Sequence, residues 1–119
     1  MKGTDIVLNF YKTDALTNHN AIGMLLHDDL QVYWYSTEGY LHFNKQDLID
    51  YTVNLEKSYS KSRYDITHII QDDDKVAIRY THFVSPIDNP EQELVLAHFM
   101  GIWEIKDQKL HKAYMMSQR

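Results

Sequence analysis

Four strand-like runs follow one another through the second half of this chain, with only short breaks between them: Tyr64–Ile70, Lys75–Ser85, Glu93–Ile105 and Leu110–Met116. The first sixty residues carry helical periodicity instead. Helices first and a strand meander afterwards predict an α+β fold, with helices covering one face of the sheet. A curved sheet closed in this way can enclose a pocket. The run Glu93–Ile105 adds a second constraint. Its even positions are Leu94, Leu96, His98, Met100 and Ile102; its odd positions include Val95, Ala97, Phe99, Gly101, Trp103 and Ile105. Both sides are apolar, whereas a half-exposed antiparallel strand alternates with polar residues. Tyr114-Met115-Met116 repeats the pattern. One face must meet the helices and the other needs a separate cover, most economically a second copy of the chain. The expectation is a homodimer through the outer sheet face, centred on Met100/Ile102 or on Phe99/Trp103.

With 119 residues, of which 44% are hydrophobic, the chain can build one core and reads as a single domain, 1–119. It has no cysteine, so disulfides, thiol catalysis and thiolate zinc sites are excluded. Met1-Lys2-Gly3-Thr4-Asp5 leads into an amphipathic pattern instead of an unbroken apolar run, so no signal peptide is expected. No apolar run is long enough to cross a bilayer. The expected setting is the cytoplasm, away from membranes. The net charge is −5 and the basic residues are scattered, which argues against a nucleic-acid partner. Asp72-Asp73-Asp74 lies between two strands and reads as a solvated hairpin loop, because Lys75-Val76-Ala77 supplies none of the further oxygens a calcium loop needs.

Thr4 or Asp5 is placed to cap a first helix, whose broad apolar face carries Ile6, Val7, Leu8, Phe10, Tyr11 and Ala15. Asn18 or Asn20 starts a shorter second helix with the stripe Ala21, Ile22, Leu25 and Leu26. Leu30–Ser36 is extended and aromatic, and Glu38-Gly39 turns it into a short strand, Tyr40–Phe43. Asn44 with Asp47 resembles a capping box for a third helix with the stripe Leu48, Tyr51, Thr52, Leu55 and Tyr59.

Asp14 stands near the middle of the first helical face. A carboxylate there is costly unless paired, hydrogen-bonded or protonated. Either it receives N–H bonds from the start of the second helix, or it lies in a cavity as a general acid or base with a raised pKa. His68, His82 and His98 recur on three successive strands, and imidazole is a common metal ligand. Hairpin register pairs His68 near Ile78 and His98 near Arg79. These two histidines would then lie about 10 Å apart, with His82 roughly 10–13 Å away. That is too far for one ion, so no metal is expected. Arg79 pointing away from the helices would turn Val76, Ile78, Tyr80, His82 and Val84 inward, with His68, Ile66 and Tyr64 on the same face. Trp34, Tyr51, Tyr80 and Trp103 suit either a core or a ligand cavity. No Ser/His/Asp triad, phosphate loop or dinucleotide fingerprint appears.

The helix–helix–strand order, the segment Leu25-Leu26-His27-Asp28-Asp29-Leu30-Gln31-Val32 and the closing hairpin Trp103-Glu104-Ile105-Lys106-Asp107-Gln108-Lys109-Leu110 resemble the nuclear transport factor 2-like superfamily in its SnoaL-like branch. The resemblance covers nearly the whole chain. It implies a cone-shaped, curved, mixed or antiparallel sheet with three helices on its concave face, a cystatin-like architecture. The superfamily holds ketosteroid isomerases, polyketide cyclases, dehydratases and proteins that only bind, so fold does not decide function. Ketosteroid isomerase uses a tyrosine, a base aspartate and a protonated oxyanion-hole aspartic acid. An ungapped match brings Phe10, Trp34 and Gly101 to these three positions, so that constellation is absent. Tyr11 is one residue from the first. The resulting expectation is a pocket for a small apolar carbonyl or hydroxyl compound, possessing no cofactor. Asp14 is the candidate catalytic residue, and Phe10, Trp34, Tyr51, His68, Tyr80, His82 and Trp103 are the candidate ligand-binding set. The alternative is a non-catalytic binding or interaction module of the same fold.

Overall fold

The computed structural model describes residues 2–12 and 19–119. Six strands form one sheet: β1 Leu26–Ser36, β2 Gly39–Asn44, β3 Tyr59–Asp72, β4 Lys75–Pro86, β5 Leu94–Lys106 and β6 Lys109–Gln118. Their spatial order is β2-β1-β6-β5-β4-β3. Every neighbouring pair is antiparallel except β1 with β6, so the sheet is mixed. Register shifts interrupt the ladders at Ile66/His68, His82/Phe83 and Glu104/Ile105, among others. An extra residue in one strand bends it and increases its twist, which suits a sheet that must curve around its contents.

Among the described residues, two helices of more than one turn pack on the inner face, α1 Gly3–Lys12 and, between β2 and β3, a fourteen-residue helix, Lys45–Ser58. The expected three full helices are therefore corrected to two. What remains of the second is a single turn, His19–Ile22. Leu25 and Leu26, assigned to its buried stripe, lie in the turn before β1 and at that strand's first residue, and the Leu110 N–H donates to the Leu25 carbonyl. A helical stripe and the opening of a buried strand are both continuous apolar runs over so few residues, and tertiary pairing decides between them.

The helix Lys45–Ser58 starts as its sequence predicts. The Asn44 side chain accepts from the Asp47 N–H, and the Asp47 carboxylate accepts from the Asn44 N–H. Leu48, Thr52 and Leu55 are its buried residues, while Tyr59 leaves the helix and opens β3. The first helix is capped differently from the expectation. It begins at Gly3, and the Thr4 N–H donates to the Gln71 side-chain oxygen at the far end of β3, so neither Thr4 nor Asp5 stands before it. The hairpin turns read correctly. Asp73 has φ 56°, and Asp107 and Gln108 have φ 54° and 62°, the left-handed conformations that tight hairpins demand.

Alternation sorts the sheet into two faces. Inward lie Val76, Ile78, Tyr80 and His82 of β4, Ala97, Phe99 and Trp103 of β5, and Ala113 and Met115 of β6, all buried. With Ile6, Val7, Phe10 and Tyr11 of α1 they form the core. Phe99 and Trp103 are thus inside and Met100 and Ile102 are exposed, which resolves the two sets offered for the outer face.

Candidate functional site

A small apolar space of about 60 Å³ lies between α1, the longer helix and the sheet. Phe10, Trp34, Tyr51, Tyr80, His82 and Trp103 of the expected ligand set line it, together with Tyr11 and Tyr64. Asp14 lies outside the described residues. His68 pairs with Arg79, next to the expected Ile78, but its inward facing is corrected: it is exposed on the outer face. The ladder runs Tyr64↔His82 and Ile66↔Tyr80 and then shifts, so Thr67 is the extra residue and His68 turns over. His98 pairs with Thr81 instead of lying near Arg79, and it too faces outward, its ring hydrogen-bonded to the Thr81 hydroxyl at 2.9 Å. Among the described residues no three His, Asp or Glu side chains come together as a metal site.

The polar atoms of the inner space belong to phenols and one imidazole. The Trp103 indole N–H donates to the Tyr11 hydroxyl at 3.0 Å, and the hydroxyls of Tyr11 and Tyr80 are 3.3 Å apart. These three groups hold three protons but make only two hydrogen bonds with one another. One O–H of the Tyr11–Tyr80 pair therefore remains as a donor, whichever way that bond runs. The Tyr64 hydroxyl is buried and makes no well-formed hydrogen bond among the described residues; burial raises its pKa, and the Ser62 hydroxyl is near enough to lower it somewhat but is itself hydrogen-bonded to His82. Sequence reasoning left Tyr11 and Tyr64 out of the ligand set. Their inward placement was nonetheless legible, in the α1 stripe for Tyr11 and in the pairing with His82 for Tyr64.

Stacking fixes these groups. Tyr64 lies against His82 with ring centroids 4.2 Å apart, and Tyr80 lies against Phe99 at 4.9 Å. His82 is 2% exposed and is hydrogen-bonded to the Ser62 hydroxyl at 2.6 Å. Burial lowers its pKa to about 4, so the ring is uncharged at neutral pH. No carboxylate among the described residues orients this Ser–His pair, which lacks the third member of a hydrolase triad. Burial pushes Tyr11 and Tyr51 up to about 12, and Tyr64 and Tyr80 well above the ordinary phenol value. The described lining thus carries no formal charge at pH 7. It can donate hydrogen bonds to an acceptor oxygen and pack against an apolar ring.

Trp34 and Gly101, two of the positions that the resemblance set against functional groups of ketosteroid isomerase, take up other places in the structure. Trp34 forms part of the cavity wall. At Gly101 a Cβ would overlap the Met115 sulfur and the Tyr114 carbonyl oxygen, so no acidic side chain fits there without moving β6.

No protein-family model and no curated protein sequence matches this chain. Solved structures do. IdmH from Streptomyces antibioticus, a candidate polyketide cyclase, superposes with a TM-score of 0.78 at 12% identity, covering 98% of this chain and 92% of its own. A hypothetical protein of ketosteroid isomerase-like fold from Catenulispora acidiphila DSM 44928, solved with trimethylamine, gives 0.73 at 15% identity, with 93% and 83% covered. A candidate SnoaL-like polyketide cyclase from Jannaschia sp. CCS1 gives 0.72 at 7% identity, with 97% and 84% covered. The chain has the nuclear transport factor 2-like fold that its sequence resembles.

Proposed function

We propose that this protein holds a small, mostly apolar molecule bearing a carbonyl or hydroxyl group in its inner space, and that it works as a homodimer. The observation that carries the first part is the convergence of hydroxyls on an otherwise apolar interior. A buried hydroxyl left without a partner costs about 1–3 kcal/mol, and a core needing only bulk would use phenylalanine. The Tyr64 hydroxyl makes no well-formed hydrogen bond among the described residues, and the Tyr11–Tyr80 pair has a proton to spare. A ligand oxygen would accept from both. Structural neighbours named as candidate cyclases agree with such a pocket.

In the catalytic form of this reading the chemistry is proton transfer: isomerisation, cyclisation or dehydration. Asp14, on the apolar helical face assigned by its periodicity, is the proton carrier. His82 and Tyr80 orient the substrate, since a buried imidazole with a pKa near 4 is a weak base at pH 7. Asp14→Asn tests this directly. Loss of turnover with an unchanged melting temperature, in a screen of hydrophobic ketones and hydroxy-acids, supports the acid–base role. A melting temperature lowered by the equivalent of roughly 1–3 kcal/mol, with ligand binding kept and no reaction from either protein, supports a non-catalytic binding module.

The homodimer rests on the outer sheet face. Register aligns two rows across all six strands. One runs His42, Tyr33, Tyr114, Ile102, Ala77, Ile70 and the other Tyr40, Tyr35, Met116, Met100, Arg79, His68. Ile70, Met100 and Met116 are each about two-thirds exposed. A polar row, Gln31, Lys112, Glu104, Lys75 and Asp72, flanks this band on one side, and Gln118, His98, Thr81 and Asp65 flank it on the other. An apolar centre with a polar rim of both charge signs is the anatomy of a self-complementary interface. Five strand spacings of ~4.8 Å by four rows project to on the order of 500 Å². Side-chain relief raises the accessible area towards the ~800 Å² per partner of a standard interface.

A further inference from the structure

The inner space shares a wall with a second cavity, of about 270 Å³, at the mouth of the fold beside Ser36, Leu41 and Arg119. Trp34, Tyr51 and Phe99 line both. Phe99 is buried in the core, whereas Trp34 is half-buried. The indole packs edge-on against Tyr51 at 5.6 Å and tilted against Phe99 at 5.6 Å. Its N–H donates outward, to the hydroxyl of Ser117 on the mouth side, at 2.8 Å. The hydrogen bond that holds the indole in place is therefore made at the rim, where water can replace it.

Size decides what this wall must do. The inner space of about 60 Å³ is too small even for benzene, which occupies a cavity of roughly 150 Å³. Pockets for drug-sized ligands run from about 300 to 1,000 Å³, and the inner and mouth cavities reach the lower end of that range only when joined. A ring-sized ligand seated in the inner space must therefore displace part of its wall, and the wall shared with the mouth cavity is the one whose displacement joins the two.

We propose that Trp34 is the movable partition that sets ligand size, and that the joined pocket selects an uncharged ring compound whose one acceptor oxygen reaches the Tyr64 hydroxyl. This rests on the pocket reading above. Tyr64 supplies the donor at the inner end: it makes no well-formed hydrogen bond among the described residues, and the nearby Ser62 hydroxyl is engaged with His82. The described inner lining offers no ion to pair with a charged ligand, and taking an unpaired charge out of water is prohibitive. Charge is confined to the rim, where Glu38 and Arg119 already pair with each other. A flat ring would replace the indole against Tyr51 and Phe99, and any polar substituent would be left at the mouth.

Three probes of one skeleton test this: tetralone, its oxygen-free parent tetralin, and a tetralin carboxylate. Trp34 and Trp103 are the only tryptophans, so a nitrogen-15 spectrum of the whole chain shows two indole resonances. Tetralone is expected to move the Trp34 resonance. Tyr64→Phe is expected to weaken tetralone about tenfold, the equivalent of one buried hydrogen bond, and to leave tetralin within about twofold. The carboxylate is expected to bind at least about tenfold more weakly than tetralone. Trp34→Ala is expected to bind tetralone faster than the wild type; if that variant does not fold, the wild-type resonance decides alone. Tetralone binding with a stationary Trp34 resonance and no effect of Tyr64→Phe overturns the partition and leaves the pocket reading standing. Carboxylate binding as tight as tetralone overturns the charge selection. Failure of both wild type and folded Trp34→Ala to bind any probe overturns the pocket reading itself.

Discussion

Among the described residues His82 is the one buried imidazole of the inner face, and its environment makes a pH prediction. Its pKa falls from an ordinary 6.5 to about 4 because burial penalises the charged ring. Between those values the unfolded chain binds a proton that the folded chain refuses. Stability is therefore fully present above about pH 6.5 and is lost as pH falls towards 4, by roughly 3 kcal/mol in all. His82→Gln should flatten that part of the stability curve, measured by urea unfolding from pH 7 to pH 4. A wild-type curve that is already flat there would refute the burial argument. Gly101 makes a steric prediction. Because a Cβ there would strike the Tyr114 backbone carbonyl as well as the flexible Met115 side chain, Gly101→Ala must spread β5 from β6. Overpacking of this kind costs about 1–3 kcal/mol, and a melting curve should show it. The inward positions of Tyr80 and His82 followed from alternation with the charged Arg79. That of His68 failed, because one extra residue at Thr67 reverses every side chain beyond it.

At the scale of elements, the two principal helices differ in where their caps come from. Asn44 and Asp47 satisfy each other's N–H groups within four residues, so the box was readable as a local motif. Asn44→Ala should cost about 1 kcal/mol and fray the first turn of the helix Lys45–Ser58, visible as faster amide exchange at Asp47. The first helix takes its cap from Gln71, sixty-seven positions along the chain from Thr4. Gln71→Ala should expose the Thr4 N–H to exchange and leave the Asn44 box unaffected. No local pattern marks Gln71 for this duty, which exists only because the β3 end folds over the start of α1.

At the scale of the whole molecule, the exposed outer rows carry the association prediction. Light scattering at micromolar concentration should give twice the chain mass. Met100→Lys should shift it to one chain mass while leaving the interior tyrosines undisturbed, because Met100 is exposed and its neighbours Phe99 and Gly101 face inward. A monomer mass for the unaltered chain would defeat the homodimer. A dimer mass for Met100→Lys would show that association uses another face.

Periodicity within each segment was enough to read helices before a strand meander, the two-faced apolar character of β5, the hairpin turns and the capping box. Each depends on contacts between residues close in the chain or on the strict two-residue alternation of a strand. Tertiary structure alone decided the bulge at Thr67, the shrinkage of the second helix, the cap from Gln71 and the convergence of Tyr11, Tyr64, Tyr80 and Trp103 on one space. These depend on register and on long-range packing, where one inserted residue or one pairing choice outweighs every local preference. The partition by Trp34 belongs to the second group: an aromatic on β1 becomes a wall only when Tyr51 and Phe99 are brought against it from elements distant in the chain.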